Sequence, residues 1–181
     1  ATSSESRVFD HESRVLDINI AKRRPKVLTF LAACTDYAIL LIQATHLPAS
    51  ELAKANVDAK GRGWKAFSTP AKPKAGGTSG GVAILVKNTY TASLPFKANT
   101  SKAFTVQIED GVGNDWIFVQ LITNHATYHL CSVYFDSTNG FSTNNRSKAS
   151  EISTFCRTIT GPKLMGGDLN KDIEYTAELG I

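Results

Sequence analysis

A carboxylate and a carboxamide two residues apart, Asp168 and Asn170, close the run Gly166-Gly167-Asp168-Leu169-Asn170. On extended chain, side chains at i and i+2 leave on one face. Asp168 could bind a hard cation or accept a proton, and Asn170 could hydrogen-bond an oxyanion. The two glycines let backbone approach a substrate closely, although the same five residues are also ordinary turn chemistry. A second cluster, Gln43-Ala44-Thr45-His46, ends an apolar run abruptly, which is where α/β folds place their sites. His46 reads equally well as a surface or capping histidine. In Ser132-Val133-Tyr134-Phe135, Tyr134 brings a phenol to the mouth of a strand or is simply a half-buried aromatic. Lys72, Lys74 and Ser79, with the glycines up to Gly81, could cradle phosphates through ammonium and backbone N–H groups. Lysines in a solvated loop are the plainer reading.

These residues need a frame to hold them. Val15 to Ile20 alternates as a short strand. From Arg23 onward Val27, Leu28, Phe30 and Leu31 recur at helical spacing, with Pro25 tolerable in a first turn. Tyr37 to Gln43 is nearly all apolar, which predicts a strand buried on both faces. Strand, helix and buried strand make a β-α-β unit. Lys60 to Gly81 holds six Gly, two Pro and five Lys or Arg, a basic loop region interrupted by a strand at Trp64 to Phe67. Strands follow at Gly81 to Val86, Phe104 to Ile108, Trp116 to Ile122 and Tyr128 to Phe135, with a turn at Gly111-Val112-Gly113-Asn114. Asn145 to Ile159 has the spacing of a helix closed by Gly161-Pro162, and Lys163 to Gly166 leads into the Asp168 motif. Sheet packed on sheet with helices outside is the expected architecture.

A length of 181 residues with 42% hydrophobic content suits one domain with a sizeable core and excludes wholesale disorder. No apolar run approaches the ~20 residues of a membrane-spanning helix. The net charge of +4 and pI near 9.0 are compatible with a polyanionic partner without demanding one. Cys34, Cys131 and Cys156 are scattered with no CxxC spacing, against a disulfide scaffold or structural zinc and in keeping with a reducing compartment. The polar residues 1–14 read as a flexible arm and 15–181 as the domain. The opening Ala-Thr-Ser-Ser is compatible with a removed targeting segment, hence with the nucleus or an organelle interior.

Taken in order, these motifs resemble the endonuclease/exonuclease/phosphatase superfamily, in particular the apurinic-like endonuclease domain of non-LTR retrotransposons. The carriers are Leu16-Asp17-Ile18-Asn19, Lys22 to Leu28, Ile39 to Leu47, Gly80 to Val86, Val133-Tyr134 and Gly166 to Asn170. The resemblance implies a four-layer α/β sandwich of two packed mixed sheets flanked by helices. It also implies Mg²⁺-dependent hydrolysis of a phosphodiester by an activated water. By matching position, Asp168 and Asn170 would fix the nucleophile and transition-state charge, Tyr134 would contact the scissile phosphate, and Asp17 and Asn19 would line the metal end of the cleft. Lys22, Arg23, Arg24, Lys72, Lys74 and Ser79 would face nucleic acid.

The chain departs from the family's pattern at the chemistry. The metal-binding Glu expected after Gln43 is Ala44, and a methyl group cannot coordinate Mg²⁺. The Asn expected on the first strand is Asp17, and Asp136-Ser137 stands where Pro-Asn is usual. The family's C-terminal strands, with a further Asp and an Asp-His pair, are not found, and His11, His125 and His129 do not replace that histidine. The expectation is therefore a degenerate nuclease-fold domain without efficient hydrolysis and without a bound cofactor. Such a domain would serve as a structural or nucleic-acid-binding subunit, its open sheet edge covered by another protein chain. The alternative is an active Mg²⁺-dependent endonuclease or phosphodiesterase completed by another chain.

Overall fold

The computed structural model describes residues 13–20, 34–95, 111–137 and 142–170. The arm before Glu12, the helix expected from Arg23, the strand expected at Phe104 to Ile108, and Lys22, Arg23 and Arg24 lie outside them. The described chain forms two mixed sheets face to face. In the first, β1 (Val15–Asn19) runs parallel to β2 (Ile39–Gln43), β6 (Val82–Lys87) is antiparallel to β2, and β3 (Trp64–Ser68) closes the row. In the second, β11 (Lys163–Asp168) is parallel to β10 (Thr127–Tyr134), which pairs antiparallel with β9 (Trp116–Ile122). The short β7 (Thr91–Ser93) and β8 (Val112–Gly113) also pair with β9.

Period-2 alternation explains the layers. Ile39 and Leu41 point between the sheets, where they meet Ile84, Val86, Val119 and Leu130. Leu40 and Ile42 point outward onto Trp64, Leu85 and Ala59. Both faces of β2 are therefore dry, which is why it reads as an unbroken apolar run. Trp116, Phe118, Cys131 and Val133 cover the outer face of the second sheet and pack on Ile152 and Phe155. Those two residues belong to the helix Thr143–Thr158, whose first turn is capped by Ser142 Oγ accepting from the Asn145 N–H at 3.2 Å.

Several elements differ from expectation, the short β7 and β8 among them. Ala49–Gly61 is a helix, here α1, making the Thr143–Thr158 helix α2. The α1 helix buries Ala59 and has no side-chain N-cap bond, so neither periodicity nor a cap marks it; its Ala, Leu, Lys and Glu residues are good helix formers. The glycine-rich stretch after Ser68 is a hairpin, β4 (Lys72–Lys74) paired with β5 (Gly77–Ser79). Gly76, at φ 81°, supplies the left-handed backbone of its turn.

The parallel pairs align the C-terminal ends of β1, β2, β10 and β11 at one end of the sandwich. Among the described residues, no helix is long and apolar enough to cross a membrane.

Candidate active-site cleft

One register pairs Asn19 with Gln43 in the first sheet, another sets Tyr134 opposite Asp168 in the second, and β1 meets β11 across the sandwich. Asn19 Nδ2 donates to Asp168 Oδ2. Gln43 Nε2 donates to Asp17 Oδ1 at 2.6 Å, and lies 3.2 Å from Ser132 Oγ, which in turn donates to Ile42 O at 3.2 Å. The Gly167 N–H donates to Asp17 Oδ2 at 3.1 Å. A Cβ on Gly166 would stand 2.8 Å from Asp17 Cγ, so the glycine pair makes room for the carboxylate to reach beneath β11. Asn170, in left-handed backbone at φ 50°, donates its own N–H to Asp168 Oδ1 at 3.0 Å and its side-chain amide to Phe135 O at 2.5 Å. Asp17, Asn19, Tyr134, Asp168 and Asn170, singled out from sequence, are thus brought to one place. The amide donor expected at position 17 stands instead at Asn19.

The remaining candidates are placed differently. Lys72 Nζ lies 3.5 Å from Asp115 Oδ2, so it is committed to a carboxylate of its own chain. Lys74 is exposed and Ser79 half-buried on the β4–β5 hairpin. His46, at φ 55°, shares a hydrogen bond with Thr78 O through Nδ1 at 2.8 Å, and its own carbonyl accepts from Thr78 Oγ1 at 2.7 Å. It anchors the hairpin.

A buried ion pair behind the cleft was not foreseen. Lys148, on the packed face of α2, reaches Asp115 Oδ2 at 2.9 Å, Tyr134 O at 3.1 Å and Asp136 Oδ2 at 3.4 Å. The Lys148 and Asp115 side chains are 2% and 1% exposed. Asp115, in left-handed backbone at φ 61°, also accepts from the Gly81 N–H at 2.8 Å. The signal was a lysine on the helical stripe Asn145, Lys148, Ala149, Ile152, Phe155, a charge where the pattern calls for an apolar residue.

Burial raises the Tyr134 phenol pKa, and the carboxylates of Asp168, Asp136 and Asp115 raise it further; a hydrogen bond with Asn170 works the other way. Because the folded value is the higher one, the unfolded phenol ionises first and stability falls as pH climbs through the alkaline tyrosine range. An absorbance titration is expected to show one late-ionising phenol that disappears in Tyr134→Phe. A titration unchanged by that substitution would contradict this environment.

The resemblance implies Mg²⁺, and the residues present do not fit it. Both oxygens of Asp17 and both of Asp168 already accept from N–H donors, which compete with a cation for the same lone pairs. Ala44, 2% exposed at the end of β2, offers no oxygen. Among the described residues, no three His, Cys, Asp or Glu side chains converge as ligands.

Helix, sheet, sheet and helix in that layering, with the Asp168 motif at the C-terminal ends of the strands, define the class. The chain has the α/β-sandwich fold of the endonuclease/exonuclease/phosphatase superfamily. It is similar to the endonuclease domain of TRAS1, a telomere-specific non-LTR retrotransposon, at 22% identity and TM-score 0.59, covering 90% of this chain and 63% of that one. Against D. rerio TDP2 complexed with single-strand DNA product the figures are 13%, 0.57, 94% and 66%. For the 3′-5′ exonuclease NExo from Neisseria meningitidis they are 16%, 0.52, 86% and 56%. The chain spans less than two thirds of the length of each, and at these identities the likeness is one of fold. No protein-family model and no curated protein matches the chain.

Proposed function

We propose that this chain is a nuclease-fold domain that binds nucleic acid without cutting it. The observation that carries this reading is the hydrogen-bonded closure of Asp17 and Asp168 beside Ala44. A missing metal ligand costs several orders of magnitude in rate, and these carboxylates serve the two sheets as ties. The positive net charge and the single-strand DNA product held by D. rerio TDP2 support a nucleic-acid ligand.

Labelled single- and double-stranded oligonucleotides incubated with Mg²⁺ or Mn²⁺ are expected to stay intact, with the chain and its Asp168→Ala variant indistinguishable. Binding by fluorescence anisotropy is expected and should weaken steeply with salt, as phosphate contacts require. Cleavage abolished by Asp168→Ala would mean an active endonuclease instead.

A structural role in a larger assembly is the second reading. It is favoured by β11, which among the described residues pairs on one side only and carries Leu164 at 44% exposure; such edges attract another chain. Sedimentation as an isolated monomer at all concentrations would remove it.

A further inference from the structure

We infer that nucleic acid docks on the rim of the first sheet opposite the cleft; this rests on the nucleic-acid-binding reading above. The strand directions put the N-terminal ends of β1, β2 and β3 and the C-terminal end of β6 at one rim, roughly 17 Å along the strands from Asn19 and Gln43. Arg14 precedes β1, Lys65 opens β3 beside Trp64, Lys87 ends β6, and Lys60 and Arg62 close α1 where it turns into β3.

None of these five cations is neutralised by a carboxylate among the described residues. The Arg14 guanidinium lies 5.0 Å from the centre of the Tyr37 ring. Lys65 Nζ donates to Tyr90 O at 2.5 Å. Lys87 Nζ donates to Thr35 O and sits 5.9 Å from the Trp64 ring centre. Lys60 and Arg62 are exposed, at the negative end of the α1 dipole. Asp36 is the one described acid in the rim's turns, and Asp58, earlier on α1, is taken by Lys54 at 2.8 Å.

The cleft end is evenly balanced: Asp17, Asp115, Asp136 and Asp168 stand against the described cations Lys72, Lys74, Arg146 and Lys148, and Lys72 and Lys148 are bound to Asp115. Among the described residues, Lys72 and Lys148 of the cleft end stand beside carboxylates, whereas the cations of the rim do not and are open to phosphate. Four strands at ~4.8 Å spacing make the rim a strip roughly 15 Å wide, a shape suited to a linear, regularly charged polymer. A membrane surface fits less well, since interfacial binding draws on exposed apolar side chains. The described large ones, Val57, Ile122 and Leu164, lie off the strands of the first sheet.

The test is anisotropy of a fluorescein-labelled single-stranded oligonucleotide titrated with the full chain at several salt concentrations. Lys60→Glu/Arg62→Glu, at exposed positions, is expected to weaken binding at least about tenfold and to flatten the log-affinity against log-salt slope by about 1.4. Arg14→Gln should act in the same direction, whereas Arg146→Gln, at an exposed position in the first turns of α2, should stay within about twofold of the parent. If the parent binds and the rim variants bind equally well, the rim assignment falls while the proposed function stands. A parent that binds no oligonucleotide sinks both. Capture by phosphatidylserine vesicles that is lost in the rim variants, with no oligonucleotide binding, would assign the rim to a membrane surface and overturn the inference.

Discussion

Lys148→Ala is expected to lower the unfolding free energy by about 3–5 kcal/mol, the range for stranding one partner of a buried ion pair. The Asp115 carboxyl, at 1% side-chain exposure, would lose its closest cation. The Gly81 N–H at 2.8 Å and Lys72 at 3.5 Å would remain, but Lys72 is 41% exposed and its contribution is screened by solvent. The loss therefore belongs toward the lower end. Adding Asp115→Asn removes the stranded charge while keeping an oxygen for Gly81, so Lys148→Ala/Asp115→Asn should be more stable than Lys148→Ala alone. Urea denaturation of the three variants tests this. A loss under about 1 kcal/mol for Lys148→Ala, or no recovery in the double variant, would show that the pair is not the buttress described.

Gly167→Ala should be nearly as damaging, at about 3 kcal/mol by the scale of overpacked interiors. A Cβ there would stand 2.4 Å from Val133 O and 2.5 Å from Val133 Cγ1. The backbone oxygen is held in β10 and cannot swing aside, so β11 must move away and carry Asp168 with it. Two other glycines separate this clash from general glycine effects. At Gly76 a Cβ meets nothing within 4 Å but φ is +81°, so alanine should cost only about 1 kcal/mol of conformational strain. At Gly61, at the end of α1, nothing lies within 4 Å and no left-handed backbone is required, so alanine should be neutral or slightly stabilising. Thermal denaturation giving the order Gly61, Gly76, Gly167 would support the steric account; equal effects at all three would refute it.

Most strands and α2 were legible because their side chains alternate or recur with a period that burial enforces. The parallel pairing of β1 and β2 followed from the apolar run of β2, and the Asp168 motif was found by its spacing. What escaped has no local period. The α1 helix buries little, so its pattern is weak, and the β4–β5 hairpin was hidden among glycines that read equally well as loop. Asp115 and Lys148 are 33 residues apart, and no spacing rule joins them until the fold does. Asp17 and Asn19 are grouped through the family resemblance. Their partners, Gln43 with Gly167 for one and Asp168 for the other, depend on how two sheets face each other, which sequence order does not reveal.

The tie between Asn19 and Asp168 joins residues 149 positions apart, and that between Asp17 and Gly167 spans 150. On the ribosome, at ~5–20 residues per second, the first of these strands waits about 7–30 s for the last to be made. For the first part of that interval, until β9 and β10 are made, Ile39, Leu41, Ile84 and Val86 lack the opposing layer of Ile117, Val119, Leu121 and Leu130. Nascent chains of this domain should therefore rely on chaperone shielding, and slowing translation ahead of β9 should lower the yield of native protein more than slowing it after β10.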